Sequence, residues 1–194
     1  MRIIGGTIRG RKLLTPPSRL GPLIRPTSDR AREALFNILG NRVAGARVLD
    51  LFAGTGALGL EALSRGATSA FFVDVSREAV ELIEKNAVAC GFVGRATVLR
   101  RDLAAGLAFL AAVAPAGGFD LVLLDPPYGE KIGQRLLESL ADKDLLSPAA
   151  VVVLEDRAKE ECPARIGSLL CFDRRRYGEA GFWLYRTLEA EDHE

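Results

Sequence analysis

The segment LDPPY (124–128) places a carboxylate, two prolines and an aromatic ring directly after an apolar run. A carboxylate and a backbone carbonyl can accept the two N–H groups of an exocyclic amine and draw its nitrogen toward the geometry needed to attack a methyl group. The prolines hold such acceptors rigid and supply no competing N–H, and the tyrosine offers a ring on which a base can stack. This pattern predicts four catalytic residues: Asp125, Pro126, Pro127 and Tyr128. The alternative is that the prolines only end a strand.

The stretch DLFAGTGALG (50–59) contains Gly54, Gly56 and Gly59 in the spacing GxGxxG. Glycines at this spacing let the backbone turn sharply from a strand into a helix and let a ligand approach the helix N-terminus. Asp50 would be a poor neighbour for a pyrophosphate, but it suits a cation such as the ammonium of S-adenosylmethionine, bound directly or through water. The stretch therefore predicts cofactor contacts at Asp50, Phe52, Ala53, Gly54, Thr55 and Gly56.

Two further acids end the next two predicted strands, where open parallel sheets bind ligands. Asp74, followed by Val75, could chelate the ribose diol of the same cofactor. Asp102 could accept a hydrogen bond from the adenine amino group, and Leu103 could supply backbone contacts. For any one of these acids, a helix cap or a solvated loop is the alternative.

Hydrophobic periodicity predicts alternating strands and helices from residue 46 onward. Strands are expected at 46–52, 69–75, 96–102, 119–125 and 149–156. Helices are expected at 56–66, at 76–91 with Ser76 as N-cap and Gly91 as stop, from the end of the third strand to about Ala114, and at 133–142. This order is typical of a parallel sheet with helices on both faces.

Both ends of the chain depart from this alternation. Residues 1–16 predict a glycine-punctuated β-hairpin, which is followed by a proline-rich loop and a helix over 28–41. Near the C-terminus, SLLCFDRRRY and GFWLYRTLE are joined by the turn GEAG, which predicts an antiparallel hairpin. We accordingly divide the chain into an N-terminal basic hairpin and helix extension, residues 1–45, and a catalytic domain, residues 46–194.

Basic side chains are concentrated at the N-terminus. Residues 1–47 hold ten basic and two acidic side chains, whereas the net charge of the whole chain is +1. A basic arm on a mildly acidic body indicates a polyanionic partner such as a nucleic acid. A solvated charged edge is the alternative.

The composition excludes several kinds of site. The only histidine, His193, is the penultimate residue, and the three cysteines are scattered, so we expect no zinc site, no Ser-His-Asp triad and no bound metal. No apolar run approaches the roughly 20 residues that span a bilayer, and the N-terminus has no signal-peptide core. We expect a cytoplasmic protein, and a monomer.

These motifs resemble a known family. LDPPY together with DLFAGTG is similar to the class I S-adenosylmethionine-dependent amino-methyltransferases. MRIIGGTIRGRKL, RPTSDRAREALFNIL, LDLFAGTGALGLEALSRGA and LDPPY occur in the order found in the RsmD family of bacterial small-subunit (16S) ribosomal RNA guanine-N(2) methyltransferases, and RRYGEAGFWLYR resembles that family's final hairpin.

The resemblance implies an α/β fold with a Rossmann-like sheet of order 3-2-1-4-5-7-6, whose last strand pair is antiparallel, and a small N-terminal β-hairpin. It implies S-adenosylmethionine as methyl donor, S-adenosylhomocysteine as product, and no metal. The implied substrate is one guanine of small-subunit ribosomal RNA, presented in the assembled 30S particle.

The resemblance also implies roles for the N-terminal residues. The RPTSD loop (25–29) would cover the cofactor, with Thr27 and Asp29 as contacts, although a structural turn and helix cap would explain these residues equally well. RNA contacts are expected at Arg9, Arg11, Lys12, Arg25 and Arg30. Arg174, Arg175 and Arg176 either add to this surface or form a solvated edge.

Other functions stay open at this stage. A DNA adenine or protein glutamine amino-methyltransferase would use similar motifs, although the DNA enzymes usually add a recognition domain and the glutamine enzymes usually carry Asn in place of Asp125. An NAD-binding oxidoreductase would need a hydride-transfer site, and no catalytic histidine or Tyr-xxx-Lys pair is visible. A non-catalytic RNA-binding module is a further alternative.

Overall fold

The computed structural model describes residues 1–16, 29–127, 132–141 and 144–188 of the chain. The chain forms two compact units, Met1–Arg101 and Asp102–Glu194. Within the described ranges, no helix is long and apolar enough to cross a membrane. The division at residue 45 that the sequence suggests stays a prediction.

The first unit is built on parallel strands and the helices between them. Strand β1 pairs with β2, and β2 pairs with β3, both in parallel register. The elements are α1 (Asp29–Leu39), β1 (Arg47–Leu51), α2 (Ala57–Ser64), β2 (Ser69–Asp74), α3 (Arg77–Cys90) and β3 (Ala96–Arg100).

The second unit begins with one further parallel strand–helix–strand unit and ends with antiparallel strands. Strands β4 and β5 are parallel, whereas β8 runs antiparallel to both β5 and β7. The elements are β4 (Phe119–Leu124), α4 (Ile132–Ala141), β5 (Leu146–Arg157), β6 (Arg165–Ile166), β7 (Leu169–Tyr177) and β8 (Ala180–Thr187). The predicted C-terminal hairpin is thus confirmed as β7 and β8.

The strands follow the order β3-β2-β1-β4-β5-β8-β7-β6. The fold class and the strand order expected from the sequence are confirmed, since the sixth and seventh predicted strands correspond to β7 and β8. The two-residue strand β6, which pairs antiparallel with β7, was not expected.

Local sequence explains where α3 begins and ends. Ser76 precedes the helix in extended conformation, and its hydroxyl accepts a hydrogen bond from the backbone N–H of Ala79. Gly91 ends the helix in the left-handed region, at a φ of 73°, which costs glycine little. Both predicted caps are therefore confirmed.

The prediction of an alanine-rich helix that follows Asp102 and runs to about Ala114 is wrong. Only two short 3-10 turns form there, Leu103–Ala105 and Ala108–Ala112. Gly106 separates them at a φ of 90°, which a continuous helix cannot contain. The high helix propensity of alanine therefore does not produce a continuous helix across a glycine in this conformation.

Residues 1–16, which we call the N-terminal segment, form a shorter ladder than the predicted hairpin. Its two arms meet in a single antiparallel bridge between Arg2 and Lys12. Backbone groups of Ile4, Gly5, Thr7 and Ile8 instead bond to Glu61 and Ser64 of α2, so few of them are left for a strand partner.

Candidate active site

The predicted glycine loop, residues 52–56, is a tight turn between β1 and α2. The backbone N–H of Ala53 donates to the carbonyl of Val73, and that of Gly56 donates to the carbonyl of Ala53. Phe52 has a φ of 60°, which is uncommon for a residue with a side chain. Strain of this kind is often concentrated at ligand-binding turns.

Asp74 holds this loop from the end of β2. Its Oδ2 accepts a hydrogen bond of 2.9 Å from the backbone N–H of Gly54, and its Oδ1 accepts one of 2.9 Å from the N–H of Ser76. The side chain is half-buried, and the next residue, Val75, is 57% exposed. A carboxylate has about four lone-pair sites, so two such bonds leave Asp74 able to accept further donors.

Asp50 supports the same loop from inside the protein. It is 1% exposed, and its Oδ2 accepts a hydrogen bond of 2.8 Å from the backbone N–H of Gly59 in the first turn of α2. Gly56 precedes this helix and has no side chain to cap it. The carboxyl group of Asp50 therefore caps α2 from the neighbouring strand.

Burial also changes the acidity of Asp50. Desolvation raises the pKa of Asp50 to about 8, and the negative charge of Asp74 adds to the rise, while the hydrogen bond from Gly59 acts in the opposite direction. At neutral pH, this carboxyl is accordingly mostly protonated.

Gly59 itself permits the close packing around Asp50. A Cβ atom at this position would lie 2.3 Å from Cε1 of Phe72 and 3.1 Å from Oδ2 of Asp50. The third glycine of the GxGxxG spacing therefore serves helix–strand packing, a role that glycine commonly has at this position.

The predicted RNA-binding residues within the described ranges are exposed. Arg9, Arg11 and Lys12 lie on the second arm and turn of the N-terminal segment, and Arg30 lies in the first turn of α1. A cleft of about 240 Å³ is lined by Arg2, Arg9 and Arg30 together with the acids Asp29 and Glu33. The predicted residues Arg25 and Thr27 lie outside the described residues.

Asp29 contacts arginines at the start of α1. Its Oδ1 lies 3.0 Å from Nη2 of Arg32, and its Oδ2 lies 3.7 Å from Nε of Arg2. Arg32 is 1% exposed and also donates to the backbone carbonyl of Arg2 at 2.6 Å. Burial lowers the pKa of Arg32, and Asp29 and Glu61 oppose this effect. Asp29 therefore has a structural partner on each oxygen.

In the second unit, Asp102 caps a 3-10 turn. Its Oδ1 accepts a hydrogen bond of 2.9 Å from the backbone N–H of Ala104, and the side chain is exposed. Leu103 is 3% exposed, so it can offer a ligand its backbone rather than its side chain. The capping alternative for Asp102 is thus realised, with lone pairs left on the carboxylate.

Asp125, Pro126 and Pro127 follow the buried strand β4. Asp125 is half-buried, Pro126 is buried and Pro127 is exposed. Pro126 packs against α4, because a Cβ atom at Gly133 would lie 3.2 Å from Cγ of Pro126. Tyr128 lies outside the described residues. Across the described parts of the chain, no group of three or more His, Cys, Asp or Glu residues could hold a metal ion.

Comparison with known proteins places nearly the whole sequence in one family. The sequence model of the family described as "Conserved hypothetical protein 95" matches residues 1–186. "Ribosomal RNA small subunit methyltransferase D" of Escherichia coli strain K12 is 35% identical over 186 residues, which cover 96% of this chain and 89% of that protein. The chain belongs to the RsmD family.

Two further comparisons extend over nearly the full length. "Putative rRNA methyltransferase YlbH" of Bacillus subtilis is 36% identical over 186 residues, 96% of this chain and 98% of that protein. The structure of "Putative methyltransferase yhhF" from Escherichia coli superposes with a TM-score of 0.81 at 32% identity and covers 98% of this chain and 99% of that one. The RsmD-family likeness thus includes both the N-terminal segment and the C-terminal hairpin.

Sequence reasoning missed the buried polar residues that hold the N-terminal segment of this RsmD-family chain. Glu61 on α2 is fully buried, and its two oxygens accept the backbone N–H groups of Ile4 at 2.7 Å and Gly5 at 2.8 Å. It also forms an ion pair with Arg65 at 2.7 Å. A lone acid in the otherwise apolar run ALGLEALS was the signal that could have identified it.

Ser64 and Asn86 complete this attachment. The Ser64 hydroxyl donates to the carbonyl of Gly5 at 2.6 Å and accepts from the N–H of Ile8 at 3.2 Å. Asn86, on α3, has no exposed surface and bonds to the backbone of Leu14. The basic residues of the N-terminal segment are therefore carried on a backbone that is fixed to α2 and α3.

Proposed function

We propose that this protein transfers a methyl group from S-adenosylmethionine to the exocyclic 2-amino group of one guanine in small-subunit ribosomal RNA. The observation that carries the proposal is the likeness over 186 residues to proteins named as ribosomal RNA methyltransferases. That likeness spans the N-terminal segment, the glycine loop and the LDPPY segment together.

The first unit supplies groups that suit the methyl donor. Gly54 leaves the loop backbone open to a ligand, because a Cβ atom there would have only the Phe52 carbonyl within 4 Å. The free lone pairs of Asp74 can accept the ribose hydroxyls. The exposed Val75 offers an apolar surface to the adenine. The exposed carboxylate of Asp102 and the backbone of Leu103, in the second unit, are our candidates for the adenine edge.

Asp50 is our candidate for the ammonium of the methyl donor. An ammonium close to this carboxyl would favour its ionised form and lower its raised pKa. Binding at neutral pH would then release a proton from Asp50, because burial keeps the carboxyl mostly protonated there.

Asp125 is our candidate for the acceptor of the target amine. The sulfonium of the donor supplies an activated methyl group and a neutral thioether leaving group. Correct positioning of the amine is therefore the main contribution that the protein makes to lowering the activation barrier. The Asp125 carboxylate would accept one N–H of the guanine amine, and a backbone carbonyl of the Asp-Pro-Pro-Tyr segment would accept the other. The nitrogen lone pair is then freed from the ring to form the new N–C bond, while the C–S electron pair stays on sulfur and the extra proton leaves to solvent.

The remaining parts of the proposal concern the partner. We infer that Arg9, Arg11, Lys12 and Arg30, together with Arg25, contact RNA phosphates. We further infer that the substrate is the assembled 30S particle, that the protein acts as a monomer, and that it works in the cytoplasm.

The test is methyl transfer from labelled S-adenosylmethionine to three substrates: small ribosomal subunits, free ribosomal RNA and duplex DNA. The subunits are taken from cells lacking this enzyme, so that the target guanine is unmodified, and the products are digested and analysed by nucleoside mass spectrometry. We expect N2-methylguanosine from the subunits alone. Methyladenine in the DNA would replace the proposal with a DNA methyltransferase, and N2-methylguanosine from free RNA alone would overturn the particle as substrate.

A further inference from the structure

Thr55 joins the glycine loop to the N-terminal segment. Its backbone carbonyl accepts a hydrogen bond of 3.0 Å from Nδ2 of Asn86, and its hydroxyl lies 3.4 Å from Sδ of Met1. Thr55 is 5% exposed. The loop is thus connected to the first residue of the segment directly and, through Asn86, to its other end.

Asn86 bonds to both the backbone N–H and the backbone carbonyl of Leu14, near the end of the N-terminal segment. The N–H of Leu14 donates to Oδ1 at 2.7 Å, and Nδ2 donates to the carbonyl of Leu14 at 3.1 Å. With the bond to Thr55, the asparagine amide uses both N–H donors and its carbonyl acceptor. Since Asn86 is completely buried, removing it would leave three backbone groups without these bonds.

Helix α3 holds these contacts at a fixed spacing. Ile83 lies one turn before Asn86 and packs on the glycine loop, because a Cβ atom at Gly56 would lie 3.2 Å from Cγ2 of Ile83. One helix face therefore supports Gly56 through Ile83, and Thr55 and Leu14 through Asn86. The Asn86 amide is thus the group that Thr55 and Leu14 share, so a displacement of Thr55 would strain its bonds to Leu14.

We propose that Asn86 is a positioning residue that couples cofactor binding at the glycine loop to RNA binding by the N-terminal segment. The inference rests on the proposed function, because it takes its two ligands from there. Coupling of this kind is reciprocal, so the cofactor strengthens RNA binding by the same factor by which RNA strengthens cofactor binding. A coupling of ordinary size corresponds to at least about fivefold.

The experiment measures the dissociation constant for small ribosomal subunits, taken from cells lacking the enzyme, with and without saturating S-adenosylhomocysteine. Cosedimentation of the full-length protein with the subunits gives this constant. The wild type is compared with Asn86→Ala and with Leu14→Pro, which removes the backbone N–H that donates to Asn86 and keeps the asparagine. Leu14→Ala is the matched control, because it removes a side chain that is 51% exposed and keeps the backbone N–H.

We expect the wild type and Leu14→Ala to bind subunits at least about fivefold more tightly with S-adenosylhomocysteine present. In Asn86→Ala and Leu14→Pro, the ratio of the dissociation constant without S-adenosylhomocysteine to the constant with it should fall toward one. If Asn86→Ala folds and keeps the wild-type ratio of dissociation constants, the proposed role of Asn86 is wrong. If that variant does not fold, the same result in Leu14→Pro overturns the role. A wild-type ratio of one also overturns it while leaving the proposed function intact, whereas a wild type that binds no subunits overturns both.

Discussion

The Asp74 carboxylate accepts a hydrogen bond of 2.9 Å from the backbone N–H of Gly54, which lies 20 residues earlier in the chain. The last residue of β2 therefore fixes the turn between β1 and α2. Asp74, which is expected to bind the ribose of the cofactor, thus also fixes the shape of the glycine loop beside that site.

Replacing Asp74 with alanine should weaken S-adenosylhomocysteine binding by about 10- to 100-fold, since hydrogen bonds to a charged group contribute roughly 1.5–3 kcal/mol. Isothermal titration calorimetry gives the affinity. Glu81→Ala is the matched control, because it removes an exposed carboxylate of α3 that pairs only with Arg77 among the contacts described for it. Equal affinities in Asp74→Ala and Glu81→Ala would remove Asp74 from the cofactor site.

Stability should depend on pH through Asp50. The folded protein keeps this carboxyl protonated up to about pH 8, whereas an unfolded chain ionises it near 4. Between about pH 4 and pH 8, the folded state binds more protons than the unfolded chain. The free energy of unfolding should therefore fall as pH rises through this range, by up to roughly 1.4 kcal/mol per pH unit.

Asp50→Asn isolates this contribution. The asparagine is neutral at every pH, and its Oδ1 can still accept the hydrogen bond from Gly59. Urea unfolding of both proteins between pH 5 and pH 8 measures the free energy of unfolding. As pH rises, Asp50→Asn should become steadily more stable relative to the wild type. Parallel stability curves would mean that the pKa of Asp50 is not raised in the folded protein.

Gly59→Ala should destabilise the protein by about 1–3 kcal/mol, the usual cost of overpacking a tight interior. The new Cβ would lie 2.3 Å from Cε1 of the buried Phe72, so β2 or α2 must shift. Gly94→Ala is the control, because a Cβ there meets nothing within 4 Å. Chemical denaturation measures both variants, and a Gly59→Ala protein as stable as Gly94→Ala would contradict this packing.

The sequence predicted elements whose signals are local and missed contacts whose partners are distant. Ser76 and Gly91 carry the chemistry of their own helix ends, and the C-terminal hairpin follows from two apolar runs around a short turn. Glu61 and Asn86 look like ordinary helix residues, because the backbone groups that they bind lie 57 and 72 positions away. Asp50 was placed at the loop, but its burial and its cap on Gly59 depend on packing that no spacing rule contains.

Asp125→Ala should abolish methyl transfer and leave S-adenosylhomocysteine binding largely intact, since the carboxylate is proposed to hold the target amine. Transfer to small subunits and calorimetric binding are measured on the same preparation. Glu138→Ala, which removes an exposed carboxylate of α4, serves as the control for both measurements. Nearly full activity in Asp125→Ala would exclude the acceptor mechanism.

Changing Arg9, Arg11 and Lys12 together to alanine should weaken binding to small ribosomal subunits and reduce its dependence on salt. Each lost phosphate contact removes roughly 0.7 from the slope of log K against log salt for single-stranded RNA, so three contacts remove about 2. The exposed basic residues Arg135, Lys159 and Arg165 of the second unit, changed together, give the matched loss of charge. Binding is measured by cosedimentation at several salt concentrations. If both triple variants keep the wild-type slope, the N-terminal segment does not contact RNA phosphates; if both lose it equally, the attraction comes from net charge rather than from this segment.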